Sequence, residues 1–140
     1  MDAQLRAARS IWLATSRADG RALVAPLWFW WDGEVEPPRL YFITAKPTLK
    51  ARNLARESWV EAHLGDGDEV VIVRGRASVV SDSGETDRVD AAYRAKYVDP
   101  GSGAQASVYD NPDDDVYRLK PERVIAWSYG TVGHWTEWRF

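Results

Sequence analysis

The chain has 140 residues, no cysteine and a formal charge of −3. That composition excludes disulfide frameworks, thiolate metal sites and cysteine nucleophiles, and the acidic balance speaks against a nucleic-acid binder held by a broad basic face. One domain spanning residues 1–140 accounts for the length, and no apolar run reaches the ~20 residues that a membrane-spanning helix needs. Because the N-terminus also lacks an apolar signal core, the expected location is cytoplasmic.

In chain order, residues 2–9 read as a short helix with Leu5, Ala8 and Ile11 on one side. Residues 11–16 and 22–31 then form a hairpin around the turn residues Ala18-Asp19-Gly20-Arg21, and 39–44 adds a third strand of the same meander. From Thr48 the period becomes helical, with a hydroxyl at the cap position and Ala51, Leu54 and Ala55 at helical spacing, so a helix is expected over 48–57. Strands 59–64 and 69–80 follow, joined by Gly65-Asp66-Gly67-Asp68, whose glycines can adopt positive φ. A helix over 82–97 carries Val89, Ala92, Tyr93 and Lys96 on one side. Residues 99–115 read as the least ordered part, and 116–119, 123–129 and 134–140 as closing strands.

Six or seven strands with few, short helices predict a mainly β fold, a closed or partly closed antiparallel barrel. Such a barrel has a narrow interior. Leu27-Trp28-Phe29-Trp30-Trp31 is apolar at every position, so both faces of its strand need cover. One set of side chains can fill the barrel; a dimer partner is the expected cover for the other.

The usual catalytic sets are missing. His63 and His134 stand in no metal-ligand spacing, the aspartates at 113–115 do not follow a calcium-loop pattern, and no phosphate-binding glycine motif follows a strand. No metal site is expected. The positive signal is the segment from Thr44 to Leu54. A strand ends there and a helix begins about four residues later, with Lys46, Lys50 and Arg52 and the hydroxyls of Thr44 and Thr48 near its start. Cations at a helix N-terminus oppose the helix dipole. An external anion such as a phosphate explains that inversion; ordinary solvated side chains are the other reading.

Several segments in this order resemble one family: DGR (19–21) before VAPLWFWWDG (24–33), KARNL (50–54) after YFIT (41–44), HLGDGD (63–68) after a Trp-Val strand, Lys96-Tyr97 after a helix, and the terminal TEWRF (136–140). Together they look like the flavin- and deazaflavin-binding split β-barrel proteins, the pyridoxamine 5'-phosphate oxidase-like superfamily, and in particular its branch that uses the deazaflavin F420. The resemblance covers residues 5–80 and 116–140; between them only the helix ending at Lys96-Tyr97 matches.

The resemblance implies an FMN-binding-type split barrel and a homodimer with the cofactor in a groove between subunits. Val24, Ala25, Pro26 and Leu27 would lie beside the ring system. Thr44, Lys46, Thr48, Lys50 and Arg52 would surround the phosphate, with Lys50 the foremost. The implied activity is that of an oxidoreductase moving a hydride between F420 and a small conjugated or carbonyl-bearing compound. An FMN-dependent oxidoreductase and a non-catalytic flavin or F420 binder are the alternatives. The sequence departs from the pyridoxamine-phosphate oxidases where Leu49 stands in place of the arginine of an Arg-Lys pair. Its TEWRF end also lacks their arginine pattern, which puts vitamin B6 oxidation in doubt. Tyr129, His63 and His134 are proton-donor candidates by residue type.

Overall fold

The computed structural model describes residues 1–65, 67–131 and 134–140. Helix α1 (Asp2–Ala7) leads into the meander β1 (Ser10–Ser16), β2 (Ala22–Asp32) and β3 (Arg39–Ala45). Helix α2 (Leu49–Arg56) follows, then β4 (Trp59–Leu64), β5 (Glu69–Val79), helix α3 (Ser83–Lys96), β6 (Asp114–Ser128) and β7 (Thr136–Arg139). The strand order is β3-β2-β1-β4-β5-β6-β7, and an additional pairing of β3 with β6 closes six antiparallel strands into a barrel, with β7 added on the edge of β6. The mainly β barrel fold expected from the sequence is therefore the fold observed.

The helices are a residue or two shorter than expected. The two turn glycines behave as anticipated, Gly65 at φ 94° and Gly67 at φ 111°; residue 66 of that turn lies outside the described residues. Two expectations are corrected. The segments 116–119 and 123–129 are one continuous strand, and the closing strand spans 136–139 rather than 134–140. Of residues 99–115, which looked least ordered, 114 and 115 open β6, and the rest is tied down by side-chain caps: Asp99 accepts from the backbone of Gly101 and Ser102, and Asp90 accepts from Ser107 and the Val108 N–H.

Inside the barrel Ile11, Leu13, Leu27, Phe29, Trp31, Leu40, Phe42 and Leu119 form the main core. The run at 27–31 thus divides cleanly: Leu27, Phe29 and Trp31 point in, Trp28 and Trp30 out. A second cluster of Tyr41, Val89, Tyr93, Tyr97, Val108 and Val116 forms where α3 packs on the outside of β3 and β6. Part of the cover expected from a partner thus comes from the chain itself. Trp28 stacks on Tyr97 with ring centres 4.5 Å apart, and Trp30 stacks on Tyr41 at 5.3 Å beneath the Arg88 guanidinium.

Candidate cofactor site at the split of the barrel

Strands β2 and β3 pair only from Phe29↔Phe42 to Asp32↔Arg39. Continued in the same register, the ladder would set Leu27 opposite Thr44 and Pro26 opposite Ala45. Instead β3 goes on with β6, through Thr44↔Asp115 and Ala45↔Asp114, while the first half of β2 stays with β1. The barrel splits here. On the side away from β1, the backbone of residues 24–27 has no strand partner among the described residues. Pro26, which has no N–H to offer a ladder, sits within this stretch.

Helix α2 closes the end of the opening. Thr48 caps it, accepting from the Ala51 N–H at 3.1 Å and donating to the Ala45 carbonyl at 2.8 Å. Ala51 and Leu54 are buried, and Asn53 donates to the buried Thr15 hydroxyl at 3.0 Å. The sequence sets where this helix begins, through a cap residue followed by good helix formers.

The nine residues expected at the site fall into distinct environments. Val24 and Pro26 face outward, and Val24 is 51% exposed. Ala25 and Leu27 turn toward the barrel interior, so toward the split they offer backbone only. Thr44 is buried, and its hydroxyl lies 3.1 Å from that of Thr48. Since the Thr48 proton goes to Ala45, the Thr44 proton goes to Thr48, and neither hydroxyl in this arrangement retains a proton for an anion. Lys46 is turned toward Asp115, 3.7 Å away. Lys50 is half-buried with no hydrogen-bond or carboxylate partner among the described residues, and burial holds its pKa below the ordinary lysine value. An unneutralised, partly desolvated cation beside the N–H groups of a helix start is a fitting place for a phosphate.

Arg52 points elsewhere. With Leu49, Asn53 and Arg56 it lines a cleft of about 370 Å³ between α2 and the β1–β2 turn, whose other wall includes Arg17 and Asp19. Arg17 and Arg56 were not anticipated, although the Arg52/Arg56 spacing of one helical turn was visible in the sequence. Asp19 is engaged by Arg21 at 2.5 Å, and the Arg21 side chain and backbone hold its carboxyl below the usual carboxylate range. On the outer face, the register sets Pro26, Trp12 and His63 in one row across β2, β1 and β4. At ordinary strand spacing that row spans about 10 Å. Of the three proton-donor candidates, His63 lies two strands from Pro26, on the β1 side of β2 and away from its unpaired edge; Tyr129 lies past the end of β6, 71% exposed, and His134 precedes β7.

The fold has many solved counterparts. The conserved hypothetical protein Rv2991 of Mycobacterium tuberculosis superposes with a TM-score of 0.73 at 21% identity, covering 94% of this chain and 84% of that one. General Stress Protein 26 of Bacillus anthracis gives 0.68 at 17% identity, covering 99% and 95%. A pyridoxamine 5'-phosphate oxidase-related, FMN-binding protein of Nostoc punctiforme gives 0.57 at 19% identity, covering 94% and 86%. No curated protein sequence matches the chain. The family model described as "Pyridoxamine 5'-phosphate oxidase" matches residues 1–128, all of the barrel from α1 to the end of β6. With a closed six-stranded barrel that parts between β2 and β3 and a match over that whole barrel, the chain belongs to the pyridoxamine 5'-phosphate oxidase family.

Proposed function

We propose that the protein is an oxidoreductase that holds a flavin-type cofactor at the split, F420 in the first reading, and moves a hydride between it and a small conjugated or carbonyl-bearing compound. The observation that carries this reading is Lys50, a half-buried cation without a counter-charge among the described residues, at the start of the helix that follows β3, the strand that parts from β2. Lys50 and the first N–H groups of α2 hold the phosphate. Lys46 contributes once Asp115 releases it, and Arg52 lies at one side of the helix start. Val24 and Pro26 pack against the ring system, to which Ala25 and Leu27 offer backbone groups. A bound flavin or deazaflavin supplies the hydride chemistry itself, which accounts for a chain without an evident acid, base or nucleophile. What the chain contributes is orientation and exclusion of water, with the proton drawn from solvent or a neighbouring side chain.

FMN is the second reading, favoured by the FMN binding ascribed to the structurally similar Nostoc protein. A second copy of the chain, packed on the outer face of β1 and β2, would complete the groove. Titrating the purified protein with F420 and with FMN separates the two cofactor readings. Replacing Lys50 by Ala should weaken whichever cofactor binds by about 1.5–3 kcal/mol, the range for a charge-assisted hydrogen bond. Unchanged affinity would remove the phosphate from this helix start. Tight binding with no hydride transfer to quinones, enones or nitroaromatics would leave a non-catalytic binder.

A further inference from the structure

The cleft between α2 and the β1–β2 turn lies on the far side of that helix from Lys50. At about 100° per residue, Leu49, Arg52, Asn53 and Arg56 share one stripe of α2, whereas Lys50 is turned roughly 160° from Arg52 and roughly 120° from Arg56. All four residues of the stripe line the cleft, and Arg17 closes it from the turn, so three guanidiniums meet around a space of about 370 Å³. The chain as a whole is acidic, at −3, so this cluster is a local concentration of cations.

Little in the fold offsets it. The one carboxylate of the cleft, Asp19, is already taken: one oxygen accepts from the Arg21 guanidinium and the other from the Arg21 backbone N–H. Arg56 donates to the Ser16 carbonyl, which fixes its guanidinium against the end of β1. The side chains of Arg17 and Arg52 have no hydrogen-bond or ion-pair partner among the described residues. Arg52 and Arg56 stand one turn apart, where like charges repel and weaken a helix. An anion between them removes that repulsion.

The lining also narrows the ligand. Three cations against one paired carboxylate call for more than one negative charge, and guanidinium forks grip phosphate or carboxylate oxygens two at a time. The rest of the lining is Leu49, Ala18 and Asn53, whose amide is spent on Thr15. With no aromatic ring among these residues, the cleft has no platform on which a nucleobase could stack. Its volume is that of a small-molecule site.

We propose that this cleft binds a compact polyanion, a small molecule with two or more adjacent phosphate or carboxylate groups and no aromatic ring, held by Arg17, Arg52 and Arg56. The site is separate from the helix-start anchor at Lys50 and does not rest on the flavin reading; either can fail alone.

The test is calorimetric titration of the full chain, wild type and Lys50→Ala, with tripolyphosphate and with citrate at low ionic strength. At least one of the two should fill a saturable site in both proteins with the same affinity, and which one binds tells phosphate from carboxylate. No saturable binding of either would overturn the proposal, and so would loss of the site in Lys50→Ala, which would assign the anion to the helix start. Arg17→Gln and Arg52→Gln, each made in the Lys50→Ala background, should weaken binding roughly tenfold through the lost charge-assisted contact. Neither side chain has a partner in the fold to lose, and Arg56 is kept because it ties α2 to β1. Unchanged affinity in both would remove the ligand from the cleft. Orthophosphate and acetate, with a single anionic group, should bind at least roughly tenfold more weakly than the better polyanion, and parity would overturn the ligand class. Binding of duplex DNA in place of both small polyanions would make this a macromolecular face and sink the assignment.

Discussion

Tyr97 fills a place that backbone would otherwise occupy. The β1–β2 ladder ends at Ser10↔Trp28, and one residue further the Tyr97 hydroxyl accepts from the Phe29 N–H at 2.8 Å and lies within reach of the carbonyls of Phe29, at 2.6 Å, and Arg9, at 2.9 Å. Its single proton serves one carbonyl at a time. Burial pushes the phenol up to about 12, so it stays neutral and keeps donating at any physiological pH. Tyr97→Phe should keep the stack on Trp28 yet orphan the Phe29 N–H, at a cost of about 1–3 kcal/mol in urea unfolding; a loss near zero would mean that water takes over the role. Beside it, Lys96 makes a pH-dependent contribution whose sign is set. Its folded pKa of about 8 lies below the ordinary 10.5, so between those values the unfolded chain binds the proton more tightly. Stability therefore rises with pH through that window on account of Lys96, whereas tyrosines 41 and 97, raised to about 12, take stability away above 10. Comparing the wild type with Lys96→Met cancels the tyrosine contribution. The Tm of the wild type should gain on that of the variant between pH of about 7.5 and 9.5, and a constant difference would show that Lys96 is not desolvated.

At the scale of elements, β6 shows most clearly what sequence pattern can and cannot give. From sequence, 116–119 and 123–129 look like two short strands on either side of Pro121, a residue that donates nothing to a ladder. In the fold it stands opposite Gly75, where the β5–β6 register shifts by one residue, and the strand runs straight through. A Cβ on residue 75 would lie 2.0 Å from the Lys120 carbonyl oxygen and 3.0 Å from the Pro121 Cα, both backbone atoms that cannot rotate away. Gly75→Ala should therefore destabilise the barrel by roughly 3 kcal/mol or more in denaturant titration. The partnership is long-range, and neither residue signals it locally. Where local signals suffice, the sequence is easy to read: apolar strand-like runs bounded by turn residues set β1 to β5 to within a residue or two, and Thr48 caps α2 where a hydroxyl before a helical pattern suggested. The candidate site was legible as a segment and not as an arrangement. That Lys50 has no partner among the described residues while Lys46 has Asp115, or that Arg52 joins Arg17 and Arg56, follows from where β6 and the β1–β2 turn pass, which no window of residues contains.

For the molecule as a whole, the interior of a six-stranded barrel is already filled by Phe29, Trp31, Phe42 and their neighbours, and α3 covers Trp30 from outside. What is left over is one face of β1 and β2, where Trp12 is 44%, Val24 51% and Trp28 45% exposed, with Pro26 paired to Trp12 between them. Each indole presents apolar surface of about 150–250 Å² if fully covered, and a contiguous patch of this kind rimmed by the polar Ser10, Ser16 and His63 has the make-up of an interface core. The split opens beside the same face. If a second copy covers it, the cofactor groove is bounded by both chains, and assembly and cofactor affinity become linked. Trp12→Glu places a charge at the centre of the patch without touching the barrel interior, so it should yield a folded monomer in analytical ultracentrifugation at micromolar concentration and weaken cofactor binding together with assembly. Trp135→Glu, changing a tryptophan that is 58% exposed far along the chain, serves as the control and should do neither. A Trp12→Glu protein that stays dimeric would move the interface off this face. A wild type that is monomeric yet binds cofactor at full strength would show that one barrel builds the groove unaided, and would leave the exposed tryptophans to a partner of another kind.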